Sequence, residues 1–380
     1  MESCDEERAL KITLHTLRDM NQTDIADSLE KEEEKNQTIS QCQQKLKNKL
    51  QKRFKCIFEG SARQGNPTLL CDIYTELYIT EGLSDGVKNE HEIPELEAAS
   101  KMPLAESTTI HCNEIFKPVA GQQTSIRTVL TNGIAGIGKT VSVHKFILDW
   151  AIGKANEDVN FIFALPFRDL NLQKNRNLSL INIIYHYFPE LNENCFDMTR
   201  QISLDVLLTN LIKGNLLPSA QLWITSRVGA SSQIPPEHVN RVTEIRGFND
   251  LQKEEYFRRR FENEDLVKRI IKHLKMSRIL YIMCRIPGFC WILAVVLEQM
   301  LEADNSNVPT SLTQLYIYFV LIQTSVKNQK YQFQSNKEII MKLEWTIVEN
   351  AGSDQAYRNV SLFVLKNSTG AKLTGADLYS

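Results

Sequence analysis

The chain has 380 residues, 42% apolar and 24% charged, with 44 Lys plus Arg against 46 Asp plus Glu and a formal net charge of −2. At roughly 150 residues per domain this length allows two or three domains with substantial cores, and the charge balance excludes a chain-wide basic surface of the kind that grips duplex DNA. The 16 glycines and 11 prolines exclude collagen-like and wholly disordered classes.

Leu10, Leu14, Leu17 and Met20 recur at helical spacing, and Ile25 and Leu29 continue the pattern after a break near Asn21. That predicts one and a half to two helices over residues 7–30, too little to fold alone. The charge run from Glu30 to Lys35 reads as a solvated linker helix. From Lys45 onward, Lys45, Lys47, Lys49, Lys52, Arg53 and Lys55 surround Leu46, Leu50, Phe54, Ile57 and Phe58 at helical spacing. A basic amphipathic helix of this kind either touches anionic lipid or nucleic acid, or packs its Leu/Phe stripe on the domain with its lysines in water. The second is the simpler reading. Ile73, Thr75, Leu77 and Ile79 alternate, which predicts a strand over Ile73 to Thr80, and Gly82 to Pro103 is a turn-rich acidic stretch.

The next block alternates strands and helices. Strands are expected over Ile126–Thr131, Val159–Leu165, Gln221–Ser226 and Val242–Arg246. Helices are expected after the glycine-rich turn, with Val143, Phe146, Ile147, Trp150 and Ala151 on one face and Gly153 as its stop, then over Leu178–Phe188 and Leu204–Ile212. This pattern predicts an α/β fold with a parallel sheet flanked by helices. Beyond Leu251 the chain reads as an all-α segment: Leu251–Phe261, Asp265–Lys275, Phe289–Leu301 and Leu312–Ser325, the last opening on Ser311 and Gln314 at capping-box spacing. Ile279 to Leu297 is apolar enough to test for a membrane span, but Arg285 near its middle costs about 2.5–3.5 kcal/mol on insertion and Pro287-Gly288 follows. A buried helix pair turning at Pro287 fits better, so no transmembrane span is expected.

The eight cysteines and seven histidines show no CxxC pair and no zinc-ligand spacing. Glu2 to Arg8 is polar, so no secretory signal is read there, and a reduced, cytoplasmic protein is the expectation.

Chemistry concentrates in Gly133-Ile134-Ala135-Gly136-Ile137-Gly138-Lys139-Thr140, which matches GxxxxGK[ST] between a strand and an amphipathic helix. The glycines let backbone N–H groups turn around phosphate oxygens at a helix N-terminus. Lys139 would reach the β- and γ-phosphates of ATP or ADP, and Thr140 would place its hydroxyl on Mg2+. Arg227, at the end of the Leu222–Ser226 strand, would sense the γ-phosphate, because nucleotides in open α/β sheets bind at the strands' C-terminal ends. A P-loop hydrolase also requires an apolar strand tipped by an acid. Asp169 follows the strand directly after the first helix, the wrong one for this role, and Asp205 lies inside a helical pattern. The sequence shows a phosphate cradle and a sensor but no evident acid.

These residues carry a resemblance. The Gly133–Thr140 loop, Lys145-Phe146-Ile147-Leu148-Asp149-Trp150, Leu165-Pro166-Phe167-Arg168, Trp223-Ile224-Thr225-Ser226-Arg227 and Ile286-Pro287-Gly288-Phe289-Cys290-Trp291 resemble the NACHT ATPase module of NOD-like receptors. Residues from about Lys45 to Pro118, with Phe58-Glu59-Gly60, Gly65 to Leu70 and Ile73 to Tyr78, resemble the fish-specific NACHT-associated (FISNA) segment, and Leu10 to Lys31 is similar to the last helices of a pyrin domain. The resemblance implies a P-loop NTPase of the STAND/AAA type in an intracellular innate-immune sensor, inflammasome-like, which holds ADP when closed, takes up ATP on activation and assembles into homo- or hetero-oligomers. It implies that Pro287 packs near the adenine. The organisation implied is a partial pyrin-like fragment and linker (1–35), a FISNA-like segment (45–120), a NACHT core (126–250), a helical domain (251–305), and a winged-helix-like remnant with a divergent tail (306–380).

The family's acid-tipped strand should lie between Phe196 and Leu204, where Met198-Thr199-Arg200-Gln201 joins the flanking parts directly. A central strand therefore reads as lost. Arg227 is followed by Val228 where the family usually has proline, the winged-helix pattern stops matching after Lys342, and the pyrin-like part lacks its first helices, so no death-fold adaptor is expected. Three readings follow: a nucleotide-binding regulator with impaired hydrolysis, an active ATPase using Asp169 or Asp205, and a scaffold that binds partners without nucleotide.

Overall fold

A computed structural model of the chain describes residues 2–57, 68–82, 109–118, 125–173, 177–189, 191, 202–302, 309, 311–330 and 363–365. The Gly82–Pro103 stretch beyond its first residue, Met198 to Gln201, and the winged-helix region after Lys342 other than 363–365 lie outside them.

Two helices lead, α1 (Glu2–Asp19) and α2 (Thr23–Phe54), with the chain turning at Asn21, whose φ is +59°. Arg18 pairs with Glu30 across the turn. α2 runs unbroken from the pyrin-like stretch through the Glu30–Lys35 charge run into the basic stretch. In its second half Leu46, Leu50 and Phe54 are buried among the residues of α3 (Lys139–Ala151), while Lys45, Lys52, Arg53 and Lys55 are exposed. The stripe therefore packs on the domain, as the simpler reading has it.

The main sheet contains, in chain order, β1 (Ile79–Glu81), β2 (Thr109–Ile110), β3 (Thr128–Asn132), β4 (Phe161–Phe163), β5 (Ala220–Ser226), β6 (Arg241–Ile245) and β7 (Phe363–Leu365). Their spatial order is β2-β1-β6-β3-β5-β7-β4. β6, β3 and β5 are parallel neighbours, and β1 and β7 run against them. The sheet is thus mixed and mostly parallel, where alternation alone predicts a parallel one. The reason is that β1, β2 and β7 reach it from the lead-in and the tail, outside the strand–helix crossovers that enforce one direction. All five residues of β3 are buried, as the central strand of a two-faced sheet requires. Trp223 Nε1 donates to Thr131 Oγ1 (2.7 Å), whose hydroxyl pairs with that of Thr243 (2.8 Å), so a polar chain crosses β5, β3 and β6 with its partners satisfied.

Only the end of the expected Ile73–Thr80 strand is extended in the sheet. Leu70–Ile73 is a helical turn, and Ile73, Tyr74 and Thr75 are buried consecutively rather than alternately. The segment is enclosed on more than one side, and other partners satisfy its backbone: Gln252 Nε2 donates to Glu76 O and Arg246 N to Tyr78 O.

Two helices, α4 (Leu180–Tyr187) and α5 (Leu204–Lys213), connect β4 to β5. Beyond β6 come α6 (Asp250–Arg260), opened by an Asn249/Gln252 capping box, α7 (Glu264–Met276), α8 (Arg278–Met283), α9 (Pro287–Glu302) and α10 (Leu312–Lys330). The apolar stretch 279–297 is divided between α8 and α9, and no described helix is long and apolar enough to cross a membrane. Cys56, Cys71, Cys112, Cys284 and Cys290 are free thiols, whereas Cys42 is disulfide-bonded, so the expected fully reduced state does not extend to Cys42.

Candidate functional site

β3 ends at Asn132, the loop turns over residues 133–138, and α3 begins at Lys139. Gly138 holds the turn at φ +105°, where a Cβ would be strained and would press on Leu77. The first turn of α3 carries no acidic residue, so its N–H groups and dipole face the loop uncompensated. Lys139 folds back over the loop and donates from Nζ to Gly133 O (2.5 Å) and Ile134 O (2.8 Å). From the other side, Gly288 N in the first turn of α9 donates to Gly136 O (3.0 Å), and Phe248 N to Arg285 O (2.8 Å). The glycine-rich loop is therefore fastened directly to the helical segment.

A cavity of about 350 Å3 opens over the loop. Ala135, Gly136, Ile137, Gly138, Lys139, Thr140, Arg227 and Pro287 all line it, so eight sequence-expected site residues converge. Gly133 and Ile134 contribute instead the carbonyls that hold Lys139. The lining also includes the apolar residues Ile57, Leu77, Phe248, Tyr256 and Trp291. Thr75 Oγ1 and Trp291 Nε1 also lie at this lining, buried and with no hydrogen-bond partner among the described residues. The cavity joins a phosphate-type loop to apolar and aromatic side chains, within the volume usual for small-molecule sites.

Thr75, Tyr256 and Trp291 were not singled out from sequence. The signal was present, since Thr75 and Trp291 sit inside the two strings quoted for the family resemblance, but periodicity assigns neither to a cavity. Asp169 lies half-buried in the short helix Phe167–Asn171, and Asp205 is exposed in the first turn of α5; neither lines the cavity. Ile202–Ser203 pairs with Asn177–Leu178, apart from the main sheet. Among the described residues no cluster of His, Cys, Asp and Glu could hold a metal ion.

Behind the loop a buried polar cluster ties the lead-in segment to α3. Both carboxylate oxygens of Asp149 accept from Lys145 Nζ, Asn113 Nδ2 donates to Asp149 (2.8 Å), and Asn156 Nδ2 donates to Asn113 Oδ1 (3.0 Å). Tyr74, which also lines the cavity, donates from its hydroxyl to Cys112 Sγ (3.6 Å). Burial pushes the Tyr74 hydroxyl far above its usual range and the Cys112 thiol up to about 12, so both stay neutral. His144, whose ring is tilted against Phe54 with centroids 4.4 Å apart, is pushed down to about 4 by burial and by the Arg53 charge.

The chain is similar in sequence to known proteins over this whole region. The fish-specific NACHT associated domain matches residues 46–117, and the NACHT domain matches in two overlapping pieces, 127–198 and 188–264. Human NLR family CARD domain-containing protein 3 is 30% identical over 292 residues, covering 67% of this chain and 27% of that protein. Mouse NACHT, LRR and PYD domains-containing protein 3 is 29% identical over 313 residues, covering 73% of this chain and 30% of that protein. The human form of the latter is 30% identical over 316 residues, with the same coverage. The chain thus spans less than a third of the length of these curated relatives.

Proposed function

The chain belongs to the NOD-like receptor family and carries its FISNA and NACHT modules, and on that premise we propose that it is an ATP- and ADP-binding switch in intracellular innate-immune signalling, with impaired hydrolysis. The observation that carries this reading is the convergence of Lys139, Thr140 and Arg227 with apolar and aromatic side chains in one cavity. In the reading, loop N–H groups and Lys139 hold the β-phosphate, Arg227 contacts a γ-phosphate, and Pro287, Tyr256 and Trp291 enclose the base. Thr140 and the phosphates would hold Mg2+, which would neutralise phosphate charge. Lys139 is already buried over the loop, where it donates to two neutral carbonyls, and phosphate oxygens would give it charged acceptors.

Because the loop is fastened to α9, a nucleotide touching both can favour one arrangement of sheet and helices over another, and a switch requires such differential contact. Among the described residues the cavity lining contains no carboxylate to position an attacking water, which supports slow or absent hydrolysis. Assembly into homo- or hetero-oligomers belongs to the same proposal, as does a cytoplasmic location.

The test is nucleotide content. Purified protein, denatured and analysed by mass spectrometry, is expected to release close to one ADP or ATP per chain, and Lys139→Ala is expected to weaken binding by at least 100-fold. Wild-type protein without bound nucleotide and without measurable affinity for it refutes the binding reading. A turnover near the ordinary enzyme range of about 10 per second refutes the impaired-hydrolysis half.

A further inference from the structure

In a sheet built from strand–helix units each crossover delivers one strand. Between β4 and β5 the chain forms α4 and α5 without adding a strand to the main sheet among the described residues, since Asn177–Leu178 and Ile202–Ser203 pair only with each other. Yet β4 and β5 are not neighbours. β7 lies between them, with Phe363 opposite both Phe163 and Leu222, and Leu365 opposite both Phe161 and Ala220. Each is antiparallel to β7, so β4 and β5 run parallel to one another two strand spacings apart, or about 9–10 Å. That gap is one strand wide.

The backbone explains why it must be filled. Phe161, Ile162 and Phe163 are buried, and β4 pairs with no strand but β7 among the described residues. On β5, Ala220 and Leu222, which lie opposite β7, are buried as well. Buried N–H and C=O groups on both edges require a ladder partner, because water cannot reach them.

We infer that Phe363–Leu365 is a stand-in strand, by which the C-terminal segment closes the nucleotide-binding sheet in the slot of the missing acid-tipped strand. Leu362-Phe363-Val364-Leu365 is an apolar run of the type that suits a strand covered on both faces. The 32 residues between Lys330, the end of α10, and Phe363 span up to roughly 100 Å when extended, enough to cross the domain. The tail is thereby part of the nucleotide-binding domain. The inference holds or fails independently of nucleotide binding.

Val364 lies directly opposite Gln221, and residues so placed share a face at close Cβ separation. In the full chain, the double variant Gln221→Cys/Val364→Cys is therefore expected to form a 221–364 cross-link on mild oxidation, mapped by peptide mass spectrometry, within monomers and at a yield independent of protein concentration. No such cross-link in protein that retains wild-type circular dichroism overturns the inference. A cross-link confined to covalent dimers overturns the in-cis closure and assigns the strand to a second copy. As a second measurement, amide exchange at Phe161–Phe163 is expected to be slow in the wild type and at least 100-fold faster in Val364→Pro. Fast exchange in the wild type, or unchanged exchange in the variant, also overturns it.

Discussion

Replacing Asp149 with alanine removes the carboxylate that neutralises Lys145 in the interior behind the phosphate loop. The two side chains are 1% and 10% exposed, so neither charge can turn to bulk water. Without Asp149, Lys145 keeps the Tyr74 ring, 5.3 Å from Nζ, a contact worth about 0.5–2 kcal/mol. Asn113 Nδ2 loses its acceptor as well. Breaking one side of a buried pair costs about 3–5 kcal/mol and an orphaned amide adds about 1 kcal/mol, so about 4–6 kcal/mol is expected, the ring contact being present in both proteins. The double variant Lys145→Met/Asp149→Leu removes both charges together and leaves only the Asn113 donor unsatisfied, at about 1–2 kcal/mol. Two mutations are therefore expected to destabilise less than one. Urea unfolding followed by tryptophan fluorescence measures this, because Trp150 is the next residue, fully buried and bonded from Nε1 to Val159 O (2.7 Å). The single variant is expected to lower the midpoint by roughly 1–2 M. A loss below about 1 kcal/mol in Asp149→Ala, or a double variant less stable than the single one, refutes the reasoning.

His144 predicts a pH dependence. Its folded-state pKa of about 4 lies below the ordinary 6.5, so the unfolded chain takes up the proton first and stability falls as pH drops from 6.5 toward 4. The expected loss is up to about 3 kcal/mol, measured as the midpoint difference between pH 7 and pH 4, and His144→Phe is expected to remove that part of the slope; equal slopes in the two proteins count against it. Gly247 has φ +77°, and a Cβ there would lie 2.1 Å from Arg285 O, the acceptor of the Phe248 N–H bond. Gly247→Ala is expected to cost about 2–4 kcal/mol and to loosen the join between β6 and α8, read as a lower thermal midpoint with faster release of bound nucleotide. A midpoint within a degree of wild type contradicts that.

Most elements were legible where a local pattern has one interpretation. The α3 face, the all-buried β3 and the capped helices after Asn249 follow from periodicity and end signals within a dozen residues. Legibility failed where burial comes from distant parts of the chain. Ile73, Thr75, Leu77 and Ile79 alternate like a strand, yet Tyr74 between them is buried too, because the cavity and the Cys112 side enclose it. The phosphate loop was readable since its chemistry is contiguous from Gly133 to Thr140. The rest of the lining was not, being assembled from Ile57, Thr75, Phe248, Tyr256 and Trp291 across more than 200 positions.

By itself the sequence determined the phosphate loop and the helices, because each depends on neighbours in the chain. Only the tertiary structure decided what occupies the place between β4 and β5. Backbone hydrogen bonding obliges two buried edges to find a partner, and it is indifferent to how far along the chain, or in which direction, the partner arrives.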